Sequence, residues 1–314
     1  MRIAFLQDLC PSCSEGGGQL NDQKMIEGGI RRGHNIKIIT PGNKDVRSID
    51  CDLMIISNCV KFPKEYLSEI CEKYPYIFFH HDFEFYDFRL HYPMEKDNHA
   101  NCNRDFWLPI FQGAKLHVWL SPLHREGYLT AFPELGNFKN VTVPSALNVD
   151  LWKPVDGVER VKDTVIGVNC LELFKGRYNI HKYAESHPEL QFTFVGNAPG
   201  INLPNCKYLP YTKNEELPKL YSAHEYFVHL PSTTEPFGRI SAEAILCGCK
   251  VITNGNNGAF SHEFMKDKDL VQLRKNLKQA PDVFWEEIEL AVWGVDPFKN
   301  TPENYFKINK KGVS

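Results

Sequence analysis

The stretch PSTTEPFGRISAEAILCGCKVITN, residues 231–254, holds two glutamates eight positions apart. Glu235 stands in a Pro/Gly turn, and Glu243 stands among alanine, isoleucine and leucine. Taking a carboxylate out of water is costly unless it finds a partner. Either both side chains reach solvent or something polar lies between them. The preceding HEYFVHLP reads as a strand, STTEPFG as a loop past its carboxyl end, and RISAEAILCG as a helix closed by Gly248. Ligands of open α/β sheets bind where such loops emerge. The helix start after Gly238 offers unpaired N–H groups and partial positive charge, which suits a phosphate. Glu243 shares a helix face with Ile240, Ala244 and Cys247, so it should point toward the strands. A ligand that donates hydroxyls would explain a carboxylate there, and Glu235 would take a second set. Two acceptors beside a phosphate-binding helix end fit a nucleotide sugar, with ribose at one and hexose at the other.

The same strand–loop–helix rhythm extends in both directions. RIAFLQ, HNIKIIT, CDLMIIS, YIFFHHD, KLHVWLS and NVTVPS are strand-length apolar runs separated by helix-length segments. Continuous rather than alternating apolar runs predict a parallel sheet covered on both faces. After residues 148–157, which carry Pro154 and Gly157, the pattern restarts with DTVIGVN, LQFTFVG, CKYLPY, HEYFVHLP and CKVITN. The reading is α/β: two doubly wound domains, residues 1–150 and 151–280, with a C-terminal helix and tail over 281–314.

Composition narrows the function classes. Apolar residues make up 42% and charged residues 24%, ordinary values for a globular protein. A net charge of −3 with dispersed basic residues provides no long-range pull toward nucleic acid. No secretory signal and no apolar run of membrane-spanning length is visible, and ten scattered cysteines point to a reducing, cytoplasmic setting. Cys10 and Cys13 form a lone CxxC without a second pair, a poor metal site. Asp50-Cys51-Asp52 imitates a metal-binding DxD but precedes its strand instead of following it. GGGQLN lacks the G-x-G-x-x-G spacing of a dinucleotide fingerprint. Phe83, Phe85, Tyr86, Phe88 and Tyr92 are equally readable as an acceptor groove or as packing.

The EPFG…E segment resembles the Glu, seven residues, Glu motif of retaining glycosyltransferases of the GT-B fold, family four. Further segments resemble that family in order: SEGGGQ, RRGHNIKIIT, FFHHDF, VWLSPLHRE, VPSALNVDLWKP, NEELPKLYSAHEYFVHLPS and GNNGAFSHEF. The resemblance covers about residues 1–265. It implies two Rossmann-like domains facing each other across a cleft, the first on the acceptor side and the second on the donor side. It also implies a last helix, near 284–292, packed back on the first domain.

By that resemblance Glu243 binds the ribose, and Glu235 contacts the donor sugar together with the N–H groups of Phe237 and Gly238. Lys175 neutralises the diphosphate, with the Ile240 helix end beside it. Gly17 and Gly18 belong to a loop that closes on the phosphates. His81, or its neighbour His80, lies near the transferred bond. The implied reaction uses a nucleotide diphosphate sugar as donor, a glycan, lipid-linked or small-molecule acceptor, and neither metal nor cofactor. A lipid-linked acceptor would bring peripheral membrane contact. One departure stands out: Cys170 occupies the place of the family's phosphate-binding arginine, leaving Arg177 or Arg239 to replace it. A Glu243 already locked to an internal arginine would undo the ribose reading.

Overall fold

The structure is a computed structural model that describes residues 1–10, 16–42, 48–86, 102–196, 202–266 and 269–294. Its first half runs β1 (Arg2–Leu6), α1 (Gly17–Arg31), β2 (Asn35–Ile39), β3 (Leu53–Ile56), α2 (Lys64–Lys73), β4 (Tyr76–Phe79), α3 (Arg104–Gln112), β5 (His117–Trp119), α4 (Pro122–Ala131) and β6 (Asn140–Thr142). The second half runs β7 (Val161–Val168), α5 (Arg177–Ser186), β8 (Gln191–Val195), β9 (Cys206–Leu209), α6 (Leu217–Ala223), β10 (His224–His229), α7 (Arg239–Leu246), β11 (Lys250–Thr253), α8 (Glu263–Lys266) and α9 (Leu270–Trp293).

The first six strands form one sheet in the order β2-β1-β3-β4-β5-β6, and the other five form a second in the order β11-β10-β7-β8-β9. The pairings are parallel, as the continuous apolar runs predict. Central strands β3 and β4 are buried at every residue, whereas edge strands β2 and β9 are largely open. Alternate residues serve different cores. Ile55 and Phe79 face a core shared by both sheets, while Ile56 and Phe78 face a second core on the far side of the first sheet. Val165, Phe192 and Phe194 build a third beyond the second sheet.

Helix α9 leaves the second half and lies along α1. Leu277, Phe284, Trp285 and Ile288 enter the shared core. The close approach requires glycine on α1, since a Cβ at Gly29 would meet the Trp285 ring at 2.4 Å. The Trp285 indole donates to the Met25 carbonyl at 2.7 Å. Buried Glu289 accepts two bonds from Arg32, at 2.7 and 3.1 Å, and pairs with His34 at 2.8 Å.

Strand order reverses between β1 and β3 in the first sheet and between β7 and β10 in the second. At such a switch point neighbouring connections depart in opposite directions, and a crevice opens at the carboxyl ends.

Candidate active site

A cavity of about 490 Å³ lies at both switch points together. Asp8, Asn58 and Lys61 reach it from the loops after β1 and β3, and His81 and Asp82 from the end of β4. The facing wall takes Asn169 and Lys175 from the loop after β7, then Glu235, Gly238, Arg239 and Glu243 from the turn after β10 and the start of α7. The halves touch beside it. Ser121 donates to the Pro236 carbonyl at 2.5 Å, and Arg239 Nη1 donates to the Ala146 carbonyl at 2.7 Å.

Two helices begin at this cavity, α1 after Gly16 and α7 after Gly238, and among the described residues neither carries a capping side chain. Their leading N–H groups and positive dipole ends are therefore available to an anion. Gly238 has φ 78°, and a Cβ there would strike Asn257 Oδ1 at 2.4 Å, so both conformation and space call for glycine.

Glu243 is 5% exposed, and among the described residues it accepts no hydrogen bond. Arg239 lies 3.7 Å away, near enough for charge attraction but too far for a hydrogen bond. The acid is thus attracted to an internal arginine without being locked to it. Burial raises its pKa, and Arg239 offsets part of that rise. Glu235 behaves differently. Its Oε2 accepts from Lys175 Nζ at 2.5 Å, with His229 Nε2 3.9 Å away. Burial pushes the Glu235 carboxyl up, but Lys175 and His229 outweigh that and hold it below the ordinary value.

The two neighbouring histidines separate cleanly. His81 lines the cavity and meets Asp22 through Nε2 at 2.7 Å. His80 points the other way, to Glu84 at 2.5 Å and His117 at 3.0 Å, between Trp119 and Tyr128. Burial drives its pKa well below the usual histidine value.

Glu235, Lys175, His81, Glu243, Phe237, Gly238, Arg239, Ile240, Gly17 and Gly18 all line this one cavity. Arg177 does not; it opens α5, outside the wall. Cys170 is buried, which lifts its thiol to about 12, and it supplies no charge. Of the two candidate arginines, Arg239 is the one at the cavity.

Other sequence readings resolve as structure. Phe83, Phe85 and Tyr86 are buried in the first sheet's outer core and form no groove, while Phe88 and Tyr92 lie outside the described residues. Asp50 and Asp52 both bind Arg2, at the amino end of β1 and away from the cavity. Cys13 lies outside the described residues, and among those described no cluster of His, Cys, Asp and Glu is built to hold a metal. Among the described residues, no helix is long and apolar enough to cross a membrane. Sequence reasoning missed Asp8, Asp22, Asn58, Lys61 and Asn169. Asp22 carried one usable signal, its spacing of four from Gly18, which places both on one face of α1.

No protein-family model and no curated protein matches the chain. Solved structures do. Anabaena HepE, in complex with UDP and glucose, aligns over 93% of this chain and 97% of its own, with TM-score 0.57 and 16% identity. Sucrose-phosphate synthase from Thermosynechococcus elongatus aligns over 99% and 98%, with TM-score 0.62 and 14% identity. An alpha-glucosyltransferase solved with UDP and a 13-mer DNA containing an HMU base covers 93% and 99%, with TM-score 0.57 and 13% identity. At these identities what is shared is architecture: the chain has the GT-B fold, two doubly wound halves facing each other across a cleft.

Proposed function

We propose that the protein is a retaining, metal-independent glycosyltransferase that moves a hexose from a nucleoside diphosphate sugar to an acceptor hydroxyl. One observation carries this reading: the Glu243 carboxylate, buried and among the described residues without a hydrogen bond, faces the cavity beside the uncapped start of α7. A ribose diol supplies the hydroxyl donors such a carboxylate lacks, and the diphosphate then falls at the helix end. The structures of HepE with UDP and glucose point to a uridine donor. On this reading, with domain limits of 1–150 and 151–280, the acceptor sits on the first half and the donor on the second, beside Lys175, Glu235 and Glu243.

In the reaction the bond from the anomeric carbon to the diphosphate oxygen breaks and a bond to the acceptor oxygen forms. The acceptor proton leaves with the diphosphate. Negative charge accumulates on the phosphates, where Lys175, Arg239 and the α7 end stand ready before the reaction begins. Arg239 fills the place left by Cys170. Glu235, with Phe237 and Gly238, holds the sugar hydroxyls, while Gly17 and Gly18 allow α1 to approach the phosphates. Enclosure between the halves excludes water and limits donor hydrolysis.

The test is thermal-shift screening with UDP-, GDP- and ADP-glucose, then mass spectrometry of products on glycan, glycolipid, small-molecule and DNA acceptors. We expect a uridine nucleotide to raise the melting temperature and a glucosylated non-DNA product to form with its anomeric configuration kept. Binding without transfer or hydrolysis would instead mark a catalytically silent relative that lost its phosphate arginine. No binding by any of the three would overturn the donor reading.

A further inference from the structure

Asp22 stands on the second turn of α1 and is 1% exposed, yet no lysine or arginine meets its carboxylate among the described residues. Its partners are the Ser57 hydroxyl, which donates to the carboxylate with 2.9 Å to each oxygen, and His81 Nε2 at 2.7 Å. An ionised carboxylate only accepts, so Nε2 must carry the hydrogen of that short bond. The opposite ring nitrogen is then left on the cavity side. Nδ1 lies 3.6 Å from where a side chain on Gly18 would begin, and both residues line the cavity. Phe79 meets the ring edge-on at 4.5 Å, and Phe284 of α9 backs Phe79 at 4.7 Å, so the imidazole cannot swing away.

We propose that Asp22 is a positioning residue that, with Ser57, holds His81 as an imidazolium whose Nδ1–H points into the cleft at the sugar diphosphate. This rests on the donor reading above and adds the group that makes His81 useful to it. No proton is transferred at His81. Its fixed N–H and positive charge stabilise the charge that grows as the diphosphate leaves. The surrounding charges agree. Burial opposes the charged ring, but Asp22, by charge and hydrogen bond, outweighs it and raises the His81 pKa, with Asp82 and Glu84 acting in the same direction. His80 and His124, the neighbouring rings, are driven toward the neutral form by burial. On the facing wall, Arg239, which lies against Gly17, and Lys175 are cations of the second half that line the same cavity.

Ring-nitrogen NMR of the full chain tests this across pH, with the His81 signal assigned by its loss in His81→Gln. In the wild type, His81 should titrate above 6.5, its ordinary value, with both nitrogens protonated below that point. In Asp22→Asn the burial effect is no longer countered, and the titration should fall by at least about one unit. Turnover measured in parallel should decline as pH rises through the wild-type value, because the protonated ring is the active form. The Asp22→Asn limb should move down by the same amount at unchanged donor Kd. A wild-type His81 that titrates at or below the ordinary value overturns the proposal, whether or not Asp22→Asn folds. So does an unmoved titration in that variant. Should no nucleotide sugar bind, the donor reading fails while the ring measurement still decides the Asp22–His81 pair.

Discussion

On the cavity wall formed by the second half, Glu235, Gly238, Arg239 and Glu243 follow one another through a single turn and the helix after it. On the facing wall Asp8 and His81 come from the ends of two strands, and behind His81 stand Asp22, from the helix after the first strand, and Ser57, from the end of a third strand. The first arrangement is local, because one loop–helix junction supplies turn, uncapped helix start and carboxylate together. The second exists only when the sheet has formed and α1 is pressed onto it by α9. A local constellation should survive loosening of the fold better than one assembled across the sheet, and substitutions can probe that difference.

The largest effect is expected at the seam that seats α9. Glu289→Ala removes the carboxylate that pairs with Arg32 and His34 in a largely buried site, and breaking such a pair costs about 3–5 kcal/mol. A correspondingly lower urea midpoint checks it. The wild-type seam also has a pH signature. Burial favours the neutral Glu289, but His34 and Arg32 prevail and depress its pKa below the ordinary 4.5. Its contribution is therefore present above that value and lost as pH falls through the depressed one.

Next comes Lys175→Ala. Removing one preorganised charge from a developing anion costs roughly 10²–10³-fold in kcat. Donor Kd, measured by calorimetry, should change far less. Glu243→Ala should reverse that balance, weakening donor binding by about 10–100-fold, the loss of hydrogen bonds to a charged group. The free protein should lose less stability than with Glu289→Ala, since among the described residues the acid has only a 3.7 Å charge contact with Arg239 and no side-chain hydrogen bond. Equal, small effects from the two substitutions would break the proposed division between ribose and phosphate.

The last effect, read as a slope with pH, belongs to the first half. Burial raises Glu84 to about 7 from an ordinary 4.5, so its stabilising contribution is full below 4.5 and lost as pH rises toward 7. The stability advantage of wild type over Glu84→Gln should shrink across that window, by at most about 1.4 kcal/mol per pH unit. Thermal melts of both proteins at stepped pH read it directly.

Much of the fold could be read in the chain because continuous apolar runs such as LMII and YIFF need cover on both faces, and only a parallel sheet under helices provides it. The second half's cavity wall was readable for the same local reason, in EPFG and the glutamate one helix turn beyond. The Asp22–Ser57–His81 set was not, since no spacing rule joins a helix to two strand ends. The aromatic run 83–86 was ambiguous because a groove and a core demand the same side chains. Burial decided for the core.

By itself the sequence determined where strands, turns and the uncapped start of α7 would form, because those depend on backbone preferences and the period of apolar residues within a few positions. Only the tertiary structure decided that His81 faces the cleft while His80 is buried, that Arg239 reaches the cavity and Arg177 does not, and that Glu243 is left without a hydrogen bond. Those outcomes depend on which strand ends become neighbours and on what each buried charge meets there. Electrostatics and hydrogen bonding act over a few ångströms of space, however far apart the groups lie along the chain.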